Sequence, residues 1–68
     1  MQEHVYKVIE LAGSLETSFE DAIRVAVERA SKTLKNLRWF EVGQMRGHLE
    51  GGEVKHWQVV LKVGFTLE

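Results

Sequence analysis

The sequence predicts an α+β protomer in the order strand, helix, strand, strand, with a three-stranded antiparallel sheet wrapped around one helix. Three observations carry this. Residues 18–36 set apolar side chains at helical spacing, and residues 54–67 put a continuous apolar row on alternate positions. Between them, residues 37–49 form a second strand-like run, joined to the last around Gly51-Gly52. At 68 residues the chain holds a single domain, 1–68. A chain this short buries a modest share of its surface and is marginal alone unless stapled. It has no cysteine, which removes disulfides, thiolate metal sites and cysteine nucleophiles. Oligomerisation is the remaining common staple, so several copies are expected to associate, and the 44% hydrophobic content suits that.

Residues 4–12, from His4 to Ala12, are rich in Val, Ile and Tyr and lack a helix cap, so they read as the first strand. Its alternation is imperfect, because Lys7 shares a face with Val5, Ile9 and Leu11, and Gly13-Ser14 is expected to end it. The helix over 18–36 carries Phe19, Ala22, Ile23, Ala26, Val27, Ala30 and Leu34 in one stripe that continues to Leu37. With Thr17 as N-cap, Glu20 completes a capping box; Ser18 with Asp21 is a looser version one residue later. Glu20 and Asp21 at the start, and Lys32 and Lys35 at the end, complement the helix dipole. The alanines in the stripe point to close approach of helix and sheet.

In the last strand, Trp57, Val59, Leu61, Val63, Phe65 and Leu67 share the face that must cover the helix. His56, Gln58, Val60, Lys62, Gly64 and Thr66 share the other. The middle strand changes phase: Phe40 and Val42 are core-like, but further on the apolar residues are Met45 and Leu49. One extra residue reconciles the two stretches, and Gly43 is the natural bulge. Trp39, Glu41, Gln44, Arg46 and His48 then lie on the outer face. A three-residue loop of Gly51, Gly52 and Glu53 sets Arg46 opposite Gln58 and His48 opposite His56, a register that a two-residue loop would break.

This outer face is too polar for a packed core and, at Trp39, too aromatic for plain solvent. Trp39 can stack on a planar ring, at about 1–3 kcal/mol by analogy with nucleobase stacking. Gln58 presents a carbonyl and an amide together, which suits the edge of a pyrimidine-like ring. Arg46 can take a phosphate or carboxylate bidentately. Each has a plainer reading: subunit packing for Trp39, a solvated or cross-strand-paired Gln58, and an interface ion pair for Arg46. His48 and His56 lack a third ligand, so no metal site is expected. No Ser/His/Asp set or convergent carboxylate pair is evident, and the reading is non-enzymatic. A net charge of −1 leaves no basic footprint for nucleic acid. No apolar run approaches the ~20 residues that span a bilayer. The opening Met1-Gln2-Glu3-His4 is unlike a signal peptide, so the expectation is a cytoplasmic protein without membrane or nucleic-acid partners.

At Leu37-Arg38-Trp39-Phe40-Glu41-Val42, Met45-Arg46-Gly47-His48 and residues 57–65, WQVVLKVGF, the chain resembles the dodecins. The likeness extends to residues 5–11, VYKVIEL, and to residues 30–34, ASKTL, so it covers nearly the whole chain. The resemblance implies a homododecamer, hollow, with two-fold and three-fold axes, that binds flavins as stacked pairs between tryptophans of related subunits. It places Trp39 at the stacking position, Gln58 at the position that bonds the pyrimidine edge, and Arg46 at one that contacts phosphate-bearing ligands. The implied role is storage and buffering of flavin, FMN or riboflavin, with the tryptophan quenching the excited ring. The alternative is a cage that holds coenzyme A or another nucleotide-like cofactor. Thr66 stands where many bacterial dodecins carry Arg after Gly-Phe, which weakens the case for coenzyme A and for preference of FMN over riboflavin. Trp57, where relatives often have Tyr, is expected only to pack.

Overall fold

The computed structural model describes residues 4–67. Strand β1 (Tyr6–Leu15) leads to helix α1 (Phe19–Thr33), followed by β2 (Leu37–Glu50) and β3 (Glu53–Thr66). The sheet is antiparallel throughout, in the order β1-β3-β2, so the segment with the most regular alternation is the central strand. Val59, Leu61 and Val63 of β3 are fully buried beneath Ala22 of α1, with Ile9, Leu11, Leu15, Ile23, Ala26 and Val27 packed around them. Burying each such aliphatic side chain is worth about 1.5–3 kcal/mol.

Strand β1 runs through Gly13-Ser14 to Leu15, beyond the stop expected there, and starts at Tyr6 instead of His4. Gly13 pairs with Val59 and keeps its place in the ladder. A Cβ on Gly13 would lie 2.8 Å from the carbonyl oxygen of Ala22 and 3.2 Å from Cβ of Ala26. Glycine is thus the point where helix and sheet touch backbone to backbone, not a turn signal. Gly13→Ala should cost about 1–3 kcal/mol, because the helix must lift to admit one methyl group. A thermal melt of the variant checks this, and an unchanged midpoint contradicts it.

The helix begins one residue later than the capping box suggests. Ser18 is the N-cap, its backbone extended and its Oγ accepting from the Asp21 N–H at 3.0 Å. Thr17 instead donates its hydroxyl to the Asp21 carboxylate at 2.6 Å. That hydroxyl, followed by the Arg24 guanidinium 3.1 Å away, holds the Asp21 carboxyl below its usual range. A carboxylate whose folded-state pKa is depressed stabilises the fold above its unfolded value, near 4, and loses that contribution as pH falls. Asp21→Asn should lower the melting temperature at pH 7, and the gap to the parent should close on acidification to about pH 2–3. A gap that persists in acid would contradict the assignment.

At its other end the helix stops at Thr33, short of residue 36, with Leu34 in an extended conformation and its N–H bonded to the Ala30 carbonyl at 2.8 Å. Asn36 takes the left-handed conformation (φ 66°), as Asn does more readily than most residues, and its carbonyl accepts from the Thr66 N–H at 3.2 Å. Leu34 reaches the core from this connection and Leu37 from the first position of β2, neither from the helix stripe.

Gly43 is the expected bulge: Val42 pairs with Leu61 and Gln44 with Val60, leaving Gly43 unopposed. A further bulge at Arg38 separates the Leu37–Phe65 and Trp39–Gly64 pairs. Arg46 faces Gln58 and His48 faces His56, as the sequence suggests. The loop differs. Gly51 and Gly52, with φ of 58° and 81°, form a two-residue turn between paired Glu50 and Glu53. The register survives because Lys55 is left unopposed between the His48–His56 and Leu49–Val54 pairs, a bulge that adds back the missing residue.

The helix packs against β1 and β3, leaving the inner side of β2 largely uncovered. Phe40, expected in the core, is therefore 51% exposed, and Met45 and Leu49 are also exposed; only Val42 of the expected set packs against the core. Leu67 lies exposed past the end of β3. Trp57 packs as expected, edge-on to Phe19 with ring centres 4.9 Å apart.

Candidate functional site

The face of the sheet opposite the helix carries Tyr6, Val8, Glu10, Ala12 and Ser14 from β1. Across β3 these oppose Thr66, Gly64, Lys62, Val60 and Gln58, and β2 adds Trp39, Glu41, Gln44 and Arg46. Trp39 is paired with Gly64, and its indole lies across that residue. A Cβ built on Gly64 would sit 2.2 and 2.3 Å from indole Cε2 and Cζ2. Tyr6 meets the indole edge-on, ring centres 6.0 Å apart and planes at 70°. One indole face therefore rests on the backbone of β3 and an edge meets Tyr6. Trp39 is 38% exposed, so with one face against the sheet the rest of the ring stays partly open. Such a platform presents a flat π surface without further movement.

Neither Gly64 nor Tyr6 stands out as a site residue in the sequence. A glycine inside a strand is a signal of close approach, but its neighbour is known only once the β2–β3 register places Trp39 opposite. Tyr6 requires the β1–β3 pairing as well, since it reaches Trp39 from the strand on the far side of β3.

Gln58 and Arg46 form a cross-strand pair, Gln58 half-buried and Arg46 exposed. The Arg46 guanidinium donates to the side-chain carbonyl of Gln44, a neutral partner that leaves its charge uncancelled. This pair does not meet Trp39 within one protomer. Gly64 and Gln58 are six positions apart along β3, roughly 20 Å at the rise of a strand. The His48 and His56 rings lie 5.8 Å apart, each near one carboxylate: Glu50 at 3.5 Å and Glu16 at 3.7 Å respectively. Among the described residues no group of three or more His, Asp or Glu is arranged to hold a metal ion. No helix of the described residues is long and apolar enough to cross a membrane.

A sheet half-covered by its helix, with Phe40, Met45 and Leu49 bare on one side and an open indole on the other, defines a class of small, half-open α+β protomer. The comparisons with known proteins name the class: the Dodecin family matches residues 5–68, and the chain belongs to that family. A dodecin of Thermus thermophilus is 53% identical over 64 residues, spanning 94% of this chain and 93% of that protein. The solved structure of dodecin from Streptomyces coelicolor is 53% identical with a TM-score of 0.93, covering 100% of this chain and 97% of that one. That of Streptomyces davaonensis is 46% identical with a TM-score of 0.92, and covers 98% of each chain.

Proposed function

We propose that this chain is a flavin-storage protein, assembled as a homododecamer, that holds FMN or riboflavin on Trp39 and quenches its photoreactivity. Dodecins are binding proteins rather than enzymes, and the observation that carries the flavin reading is the seating of Trp39. Its indole is flat against Gly64 and open on one side, so each protomer offers one stacking surface. Two protomers related by a two-fold axis would then enclose two rings in the order Trp, ring, ring, Trp.

The ~20 Å between Trp39 and the Arg46–Gln58 pair gives this reading its geometry. A ring on one protomer's Trp39 must meet the Gln58 of another, which requires the two outer faces to meet in opposite directions. Gln58 would then bond the paired donor and acceptor edge of the isoalloxazine, and Arg46 would take the phosphate of FMN. With Thr66 beside the site in place of a cation, Arg46 is the main anchor for that phosphate. Contact between an excited flavin and an electron-rich indole favours electron transfer over emission, which is the basis of quenching.

Titrating riboflavin and FMN into the assembled particle, with flavin emission as readout and native mass spectrometry for subunit number, tests the proposal. Loss of emission at one flavin per protomer in a dodecamer is the expected result. Bright emission from a correctly assembled particle would sink it. Coenzyme A released on denaturation in place of flavin would favour the alternative cargo.

A further inference from the structure

Gly64 is the one glycine of the described strands at which the nearest atoms to a would-be side chain all belong to a candidate site residue. Gly51 and Gly52 have positive φ, which the turn requires, whereas Gly64 does not. Gly13 opposes helix backbone, and Gly43 is the bulge residue with a carbonyl 3.4 Å from its would-be Cβ. Gly47 has only ordinary contacts, at 3.5 Å and beyond. At Gly64 the three nearest atoms are all indole atoms of Trp39, at 2.2 to 2.8 Å. The φ at Gly64 is one that any residue adopts, so it is the indole in its present place that first blocks a side chain. Gly64 is nonetheless buried, on the face of the sheet that no helix covers.

We infer that Gly64 is a positioning residue for the ring site: it is the recess that lets the Trp39 indole lie flat with one face open. A methyl group at this position drives the indole away from the strand, tilting the stacking surface and removing its registration against Tyr6. The ligand class is that of the proposed function, a flat heteroaromatic ring, and the inference rests on that reading only for its consequence in binding. The seating itself is a property of the protein alone.

Gly64→Ala, made in the full chain and assembled particle, tests this in two ways. Riboflavin affinity should fall about tenfold or more, since stacking on a displaced indole forfeits much of its contact. Independently of any ligand, in a Trp57→Phe background where Trp39 is the sole tryptophan, its acrylamide quenching should rise. Unchanged quenching overturns the inference whether or not the parent binds flavin; unchanged riboflavin affinity in a parent that does bind overturns it too. Absence of riboflavin binding in the parent would count against the proposed function alone. Should Gly64→Ala lower stability, the same change in a Trp39→Ala background decides the cause. A recess needed only for the indole predicts that the stability loss disappears there, while an equal loss in both backgrounds would show that the strand itself requires glycine.

Discussion

Replacing Trp39 by Ala should lower flavin affinity by about 5- to 150-fold, the loss of roughly 1–3 kcal/mol of base-like stacking on one ring face. The protomer should keep its fold, because Trp39 lies outside the core cluster built on Val59, Leu61 and Val63. Gly64, relieved of the indole, becomes solvent-exposed without leaving a buried cavity. Flavin titration followed by emission measures the first effect, and size-exclusion chromatography with circular dichroism measures the second. A particle that dissociates instead would assign Trp39 mainly to subunit packing. Retained affinity would remove it from the ring site altogether.

The largest effect on stability is expected from Leu61→Ala, at about 2–5 kcal/mol. Leu61 has no exposed surface, sits at the middle of the central strand, and is flanked in register by Leu11 and Val42. The two edge strands and Ala22 above cannot collapse onto the hole without breaking ladder hydrogen bonds, so the cavity should persist. For a domain of 68 residues, a total stability of roughly 0.05–0.15 kcal/mol per residue leaves only a few kcal/mol to lose. The variant protomer should therefore be largely unfolded unless assembly rescues it, as a denaturant titration over a range of protein concentrations will show. Leu61→Met, which conserves volume, should cost less than about 1.5 kcal/mol. A comparable loss in both variants would argue against cavity formation as the cause.

These two substitutions lie on opposite faces of one sheet, and the sequence distinguishes the faces to different degrees. The inner face of β3 is legible because Val59, Leu61 and Val63 form an unbroken apolar row, whereas the alternate row holds Gln58, Val60, Lys62 and Gly64, and burial follows alternation in a central strand. The bulge at Gly43 is legible too, since without it the apolar residues of β2 fall out of phase. Phe40 shows the limit. Its pattern is that of a core residue, and it does lie opposite Val63, but β2 is an edge strand that the helix leaves largely uncovered. A hydrophobic side chain left exposed on an edge strand has the same sequence signature as one buried within the protomer.

The hairpin shows another kind of limit. The pairing of Arg46 with Gln58 is expected from a three-residue loop, and it holds with a two-residue turn only because the bulge at Lys55 restores the count. Bulges conserve the register of side chains while changing the residue count, so face matching is a firmer guide than loop length. Gly13 misleads for a related reason. Glycine marks both a chain reversal and a close contact, and the helix carbonyl that explains it belongs to a residue nine positions later.

The sequence by itself determined the order of elements, the helix stripe, the apolar face of the last strand and the outward placement of Trp39, Arg46 and Gln58. All of these are periodicities read from neighbours a few residues apart. Only the tertiary structure decided that β3 lies between β1 and β2, that the helix covers two strands and spares the third, and that the indole rests on Gly64 beside Tyr6. The sheet order depends on β1–β3 pairs 42 to 60 positions apart and the seat of the indole on a pair 25 positions apart, where chain closure and packing, not local pattern, set the outcome.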